Sequence, residues 1–315
     1  MFLWRVRYGR WRGVFRGFAG LAVGRGQGKK TRVSARGISH SQVERFTLFD
    51  AARKVLATGG VEEKPAAARA MAAAFARGEL PLDQDAPGPE PIGMPGRPSR
   101  PLLVHPKELP RRGFGSTVGR AAFIHAVAHI EFNAIDLACD AIYRFRGLPA
   151  EFYADWVRVA DDEARHFIML RARLQDFGYD YGDFDAHNGL WEMAEKTAHD
   201  GLARMGLVPR VLEARGLDVT PGMITKLKSL GDEKTASILE IILSEEIAHV
   251  AAGSYWYRWY CERAGIEPRQ RFRELLHEYA GGVLHGPFNT EARMMAGFDA
   301  EELQSLCEAA EARTR

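Results

Sequence analysis

The sequence predicts an all-α protein. Three observations carry this reading: strand signals are nearly absent, long stretches repeat apolar residues at three- and four-residue spacing, and carboxylates and histidines recur inside those apolar stripes. The expected architecture is a four-helix bundle over residues 118–264. N-terminal helices and a Pro/Gly-rich connector (44–117) precede it, and helical decoration (265–315) follows.

Residues 1–43 stand apart as a basic N-terminal extension, expected to be flexible. They hold ten basic residues and no acid, leaving 33 basic and 41 acidic residues for 44–315, a net charge of −8. The extension reads in three ways: an Arg-rich targeting peptide, a basic arm for nucleic acid or membrane, or a segment without function. The acidic body carries no nucleic-acid-binding charge excess. No apolar run approaches the ~20 residues of a membrane span, and no secretory signal is evident. Cys139, Cys261 and Cys307 are too few and too scattered for a disulfide framework or a zinc knuckle, which fits a cytoplasmic protein.

In chain order, two short helices are expected at Val43–Ala57 and Lys64–Arg77, joined by Thr58-Gly59-Gly60. Residues 81–120, with Pro81, Pro87, Pro89, Pro91, Pro95, Pro98 and Pro101, read as an extended connector over the surface. Helix A (118–146) carries the stripe Ile124, Ala128, Glu131, Ile135, Ala138 and Ile142, spaced 4-3-4-3-4, and ends at Gly147-Leu148-Pro149. Helix B (150–177) presents Trp156, Val159, Glu163, His166 and Leu170 and closes at Gly178. After a loop from Tyr179 to Asn188, helix C (189–215) carries Glu213, with Pro209 expected to kink it and Gly216 to cap it. Helix D (233–264) carries Leu239, Ile242, Glu246, His249, Gly253 and Trp256; short helices follow near 268–281 and 299–313.

The acids in these stripes are the informative residues. Glu163 and His166 form one Glu-x-x-His pair, and Glu246 and His249 form another. Glu131 lies 32 residues before the first pair and Glu213 lies 33 before the second, so the second half repeats the first at an offset of 82 or 83. Glu and His three apart share one helix face and can reach one metal ion. Burying four carboxylates is costly without a cation. The six residues Glu131, Glu163, His166, Glu213, Glu246 and His249 therefore read as the ligand set of a two-metal centre, with mixed O/N donors suited to iron or manganese.

The neighbours are open. Asp162, Arg165 and Glu245 either orient the ligands or face solvent. Asp136 either takes a ligand N–H or does not. His125 and His129 read as non-ligands. Arg210 either neutralises a buried carboxylate or lies at the surface. Tyr255, Trp256, Tyr257, Trp259 and Tyr260 read as packing, with a radical relay or substrate stack as the alternative. The loop Tyr179–Trp191, with His187 and Asn188, and the segment His285–Asn289 are candidate covers of a site entrance.

The segments AHIEFNAIDLACDAIYRF, DEARHFIML, VLEARGLDVTP and LSEEIAHVAAGSYWY resemble a bacterial ferritin-like family of uncharacterised proteins within the di-iron carboxylate superfamily. Its relatives include ferritins, rubrerythrins and a tRNA-modifying di-iron hydroxylase. The resemblance covers about residues 100–295, and Asp162-Glu163-Ala164-Arg165-His166 matches the D-E-x-R-H run of oxygen-activating members; the second motif lacks the arginine. It implies a ferritin-like bundle with Glu131, Glu163, His166, Glu213, Glu246 and His249 as ligands of two iron ions, manganese being the alternative metal.

The expected function is an O2-dependent oxidoreductase or hydroxylase in which Glu131, Glu163, Glu213 and Glu246 support the chemistry. It acts on a small-molecule or tRNA substrate, takes electrons from an external donor, and has a homodimer as one compatible assembly. The alternatives are ferroxidase, iron-handling or peroxide-detoxifying activity, and a non-catalytic helical module stapled by metal.

Overall fold

The computed structural model describes residues 46–83, 87–110, 113–282 and 284–312; the basic extension 1–43 lies outside them. Among the described residues the chain is all-helical, and the single β-bridge joins Leu103 to Ala186. The helices are α1 (Leu48–Ala57), α2 (Glu63–Ala76), α3 (Thr117–Arg144), α4 (Ala150–Asp176), α5 (Gly189–Lys196), α6 (Gly201–Leu207), α7 (Ala214–Ser229), α8 (Glu233–Ala264), α9 (Pro268–Ala280), α10 (Thr290–Met295) and α11 (Ala300–Ala312). A π-helical segment, Val208–Glu213, joins α6 to α7.

Local chemistry explains the boundaries. Thr47 and Asp50 form a reciprocal capping box at the start of α1. Ser116 caps α3 and Asp232 caps α8 through side-chain oxygens. Gly265, at φ +65°, ends α8 in the left-handed conformation that an L side chain adopts only with strain. Helix α3 is long and apolar enough to cross a membrane by length and composition, but most of that stretch is buried inside the protein. It is a core helix.

The helices form two hairpins. Short links join α3 to α4 and α7 to α8; the hairpins meet where α4 packs on α8, and the π-helical segment leading into α7 also packs on α8. Their interior splits into two apolar clusters. One holds Phe132, Phe167, Leu170, Leu227, Leu239 and Ile242. The other holds Ile135, Ala164, Val211, Leu217 and Val250 together with α1, α5, α6 and the C-terminal helices. In chain order His166, Glu246 and His249 fall between the two clusters, Glu131 lies beside Phe132 at the edge of the first, and Glu163 and Glu213 lie beside Ala164 and Ala214 of the second.

Helix C departs from expectation. It is not one helix over 189–215 but α5, α6, the π-helical segment and α7, and Gly216 lies inside α7 rather than capping a terminus. Proline cannot donate to the preceding turn, and the wider π turn absorbs Pro209 instead of a simple kink. The wide turn presses the Pro209 ring against α8 at Gly253, where an added Cβ would lie 2.2 Å from the ring. Helix α10, only six residues long, is too short for the apolar periodicity of the sequence to reveal. The connector runs without helix as expected but is not simply superficial. Pro95 and Pro101 are buried, and Glu90 N donates to the Tyr143 hydroxyl.

Two predictions follow from packing. Gly253→Ala forces Pro209 away from α8; we expect a loss of about 1–3 kcal/mol in urea unfolding, the usual cost of overpacking a tight contact. The second concerns His125, which is buried, accepts from Gly182 N at 3.0 Å and stacks on Tyr181. Burial pushes its pKa down to about 4. The unfolded chain takes up this proton near pH 6.5 and the folded chain does not. The His125 contribution is therefore intact above pH 6.5 and is lost as pH falls towards 4, a swing of roughly 3 kcal/mol. His125→Gln keeps an acceptor without the titration, and its stability measured between pH 7 and 4 should fall less steeply.

Candidate metal centre

Glu131 comes from α3, Glu163 and His166 from α4, Glu213 from the end of the π-helical segment, and Glu246 and His249 from α8. Oxygen and nitrogen atoms of Glu131, Glu163, His166 and Glu246 lie within 4.8 Å of one another in a buried group. His166 Nδ1 is 3.1 Å from Glu131 and 3.7 Å from Glu163. His249 Nδ1 is 3.1 Å from Glu163 and 3.2 Å from Glu246. Glu163 thus stands between the two histidines, whose ring centroids are 6.0 Å apart. Glu213 is outside the 4.8 Å group, but the charges of Glu246, Glu163 and Glu131 act on it.

The other imidazole nitrogens decide the tautomers. His166 Nε2 meets Glu245 at 2.5 Å, and His249 Nε2 meets Asp162 at 3.1 Å. Each contact crosses between α4 and α8. A proton held on Nε2 by a carboxylate leaves the Nδ1 lone pair pointing at the cluster, the arrangement a metal-ligating histidine requires. Arg165 donates to both orienting carboxylates, at 2.7 Å to Asp162 and 2.8 Å to Glu245. Asp162 and Glu245 occupy the same place in the internal repeat, at the offset of 83 that relates Glu163 to Glu246 and His166 to His249.

The electrostatics fit a cation. Burial, with Glu163 nearby, raises the Glu131 pKa to about 8, and burial with Glu246 and Glu163 raises Glu213 well above the usual carboxylate range. Burial opposes charge on His166, yet its bonds to Glu131 and Glu163 lift it to about 11; the carboxylates around His249 do the same there. Glu163 Oε2 and Glu213 Oε2 are buried with no hydrogen-bond partner. Buried carboxylate oxygens without donors are unfavourable unless something else satisfies them, and the Glu/His donor set is one that divalent iron or manganese accepts.

The family model described as protein of unknown function (DUF455) matches residues 57–304. The chain belongs to that family. An "Uncharacterized protein" of Haemophilus influenzae (strain ATCC 51907 / DSM 11121 / KW20 / Rd) is 48% identical over 218 residues, covering 67% of this chain and 76% of the relative. No solved structure matches. All six Glu and His residues of the centre lie within the matched span.

The structure places the neighbours that the sequence left open, and it keeps His129 away from the ligands as expected. Asp136 takes no ligand N–H; it is buried against Lys64 of α2, a pairing that a distant Lys offers no local signal for. His129 bonds Tyr181 and the carbonyl of His187, away from the ligands. Arg210 forms no ion pair with Glu213 among the described residues. It pairs with Glu302 of α11 among Tyr257, Phe272 and Phe298. Trp256 is buried against Phe152 and donates to Asp155 at 2.9 Å, as packing predicts, whereas Tyr255 is exposed. The 179–191 loop covers the His125/His129 side of α3, and the carbonyl of His285 accepts from Arg215.

Asp162→Asn and Glu245→Gln leave the ligands in place but weaken the hold on each imidazole tautomer. We expect metal affinity to fall about 10–100-fold in a chelator competition, with helicity unchanged.

Proposed function

We propose that this protein is a di-iron carboxylate oxidoreductase, a hydroxylase, built on a ferritin-like four-helix bundle of residues 118–264 within the larger helical chain. The observation that carries the reading is the paired imidazole arrangement. Two histidines turn Nδ1 toward one buried carboxylate cluster and are each held at Nε2 by a carboxylate from the opposite helix.

Glu131, Glu163, His166, Glu213, Glu246 and His249 would hold two ions, iron by preference and manganese as the alternative. When bound, such a pair would supply O2 reduction, one oxygen atom entering a substrate C–H bond and the other leaving as water, with two electrons from a donor and two protons from solvent. The chain's own residues do the rest. Glu163 lies near both histidines, so its carboxylate would serve both halves of the ligand set. Asp162, Arg165 and Glu245 fix the imidazoles and are themselves partly exposed, with side chains 22%, 33% and 31% accessible. The α4/α8 face is therefore where protons and electrons reach the centre from solvent. The apolar clusters on either side keep water from the remaining approaches. The electron donor would be a separate partner, and a cytoplasmic location suits that exchange. The substrate is a small molecule or tRNA.

Metal content by plasma mass spectrometry on protein expressed with iron and manganese supplied should give two ions per chain, and Glu163→Ala with Glu246→Ala should lower this several-fold without loss of helicity. Failure to take up stoichiometric metal on reconstitution would leave a metal-free helical module. With excess Fe(II) and air, oxidation of about two irons per chain supports an enzyme centre, whereas oxidation of many irons per chain supports iron handling.

A further inference from the structure

The strongest feature outside the metal centre is a cavity of about 230 Å³ lined by Arg97, Pro98, Ser99, Pro101, Leu102, Leu103, His129 and Tyr181. Its floor is α3, on a face turned away from Glu131, because residues two apart point to nearly opposite sides of a helix. The connector forms one wall and the 179–191 loop another, and both walls are fixed. Gly93 O accepts from Trp191 Nε1 at 2.6 Å, and Gly96 N donates to Leu56 O at 2.7 Å. Gly96 sits so close to α1 that a Cβ there would lie 2.3 Å from Ala57 O. Val104 N donates to Ala186 O and Ala186 N donates to Leu102 O, closing the connector onto the loop.

Arg97 is the anomaly in this cavity. Its guanidinium donates to a neutral acceptor, Asn133 Oδ1, at 2.7 Å, and its Nε–H is buried without an acceptor. Among the described residues no carboxylate forms an ion pair with it; Asp136, the first of the acids that act on it, is bound to Lys64. A largely buried cation without a counter-ion is unfavourable. The other polar groups of the cavity are neutral: His129 is held uncharged by burial and Tyr181 keeps its phenol proton. The site carries one positive charge, hydroxyls from Ser99 and Tyr181, and apolar walls of Pro98, Pro101, Leu102 and Leu103.

We propose that this cavity binds a small organic monocarboxylate, its carboxylate paired with Arg97 and its short apolar body against the connector. The volume is below the usual 300–1,000 Å³ of drug-sized ligand pockets, which limits the ligand to a few carbon atoms or a single ring. The assignment does not rest on the metal centre.

The test uses the full chain as purified, with thermal unfolding and calorimetric titration of acetate, butyrate, hexanoate, benzoate and, separately, inorganic phosphate. The expected result is saturable binding and a rise in Tm with at least one carboxylate, weakened about ten-fold or more in Arg97→Gln, the worth of one charge-assisted hydrogen bond. Arg100→Gln, at an exposed neighbouring arginine, should keep the affinity. Without added anion, Arg97→Gln should be at least as stable as the parent, because it removes an unpaired buried charge. Three results would overturn the proposal: marked destabilisation by Arg97→Gln in anion-free buffer, equal carboxylate binding by that variant and the parent, or saturable binding of phosphate alone.

Discussion

Everything near the centre of this protein depends on burying carboxylates. Glu131, Glu163 and the two histidines are almost inaccessible, between apolar clusters that offer them no donors. In the absence of a cation the cluster is balanced by protons: the imidazoles hold theirs tightly, and Glu131 and Glu213 resist ionisation. A divalent pair would replace those protons, since ligands coordinate in their deprotonated forms. The apolar layers above and below are what make the exchange matter, because they remove the solvent that would otherwise screen the charges.

The path of the chain around Pro209 follows from the same demand. Glu213 must approach Glu246 on α8 without a long straight helix to carry it. The π-helical segment widens the turn, Pro209 removes a donor that the wide turn would leave unused, and Gly253 clears the space on α8 for the ring. Gly253 lies one turn beyond His249, so the closest contact between the segment and α8 sits beside the ligands. A π bulge at this place is a local irregularity with a positional consequence for one carboxylate.

Much of this was legible in the sequence. The all-helical class, the bounds of α3, α4 and α8, and the meeting of Glu131, Glu163, His166, Glu246 and His249 all follow from apolar spacing with acids inside the stripe. The roles of Asp162 and Glu245 were undecided, although the repeat that singled out the ligands also relates these two residues. Solvent-facing position and ligand-orienting function look alike when only one helix is considered, because each orienting bond crosses to the other helix. The break at Pro209 was visible, but not its form, since a π turn depends on what α8 leaves room for. The partners of Asp136 and Arg210 were illegible for the same reason: Lys64 and Glu302 are brought in by packing at separations of 72 and 92 residues.

The repeat is broken at one informative place. Position 165 is arginine, and its counterpart at the offset of 83 is Ala248. A single guanidinium therefore serves both orienting carboxylates, and Glu131, Glu163, Glu213, Glu246, Asp162 and Glu245 stand against one Arg165. With neutral histidines, that framework carries five negative charges. A pair of divalent cations would offset most of that charge, which burial would otherwise leave uncompensated.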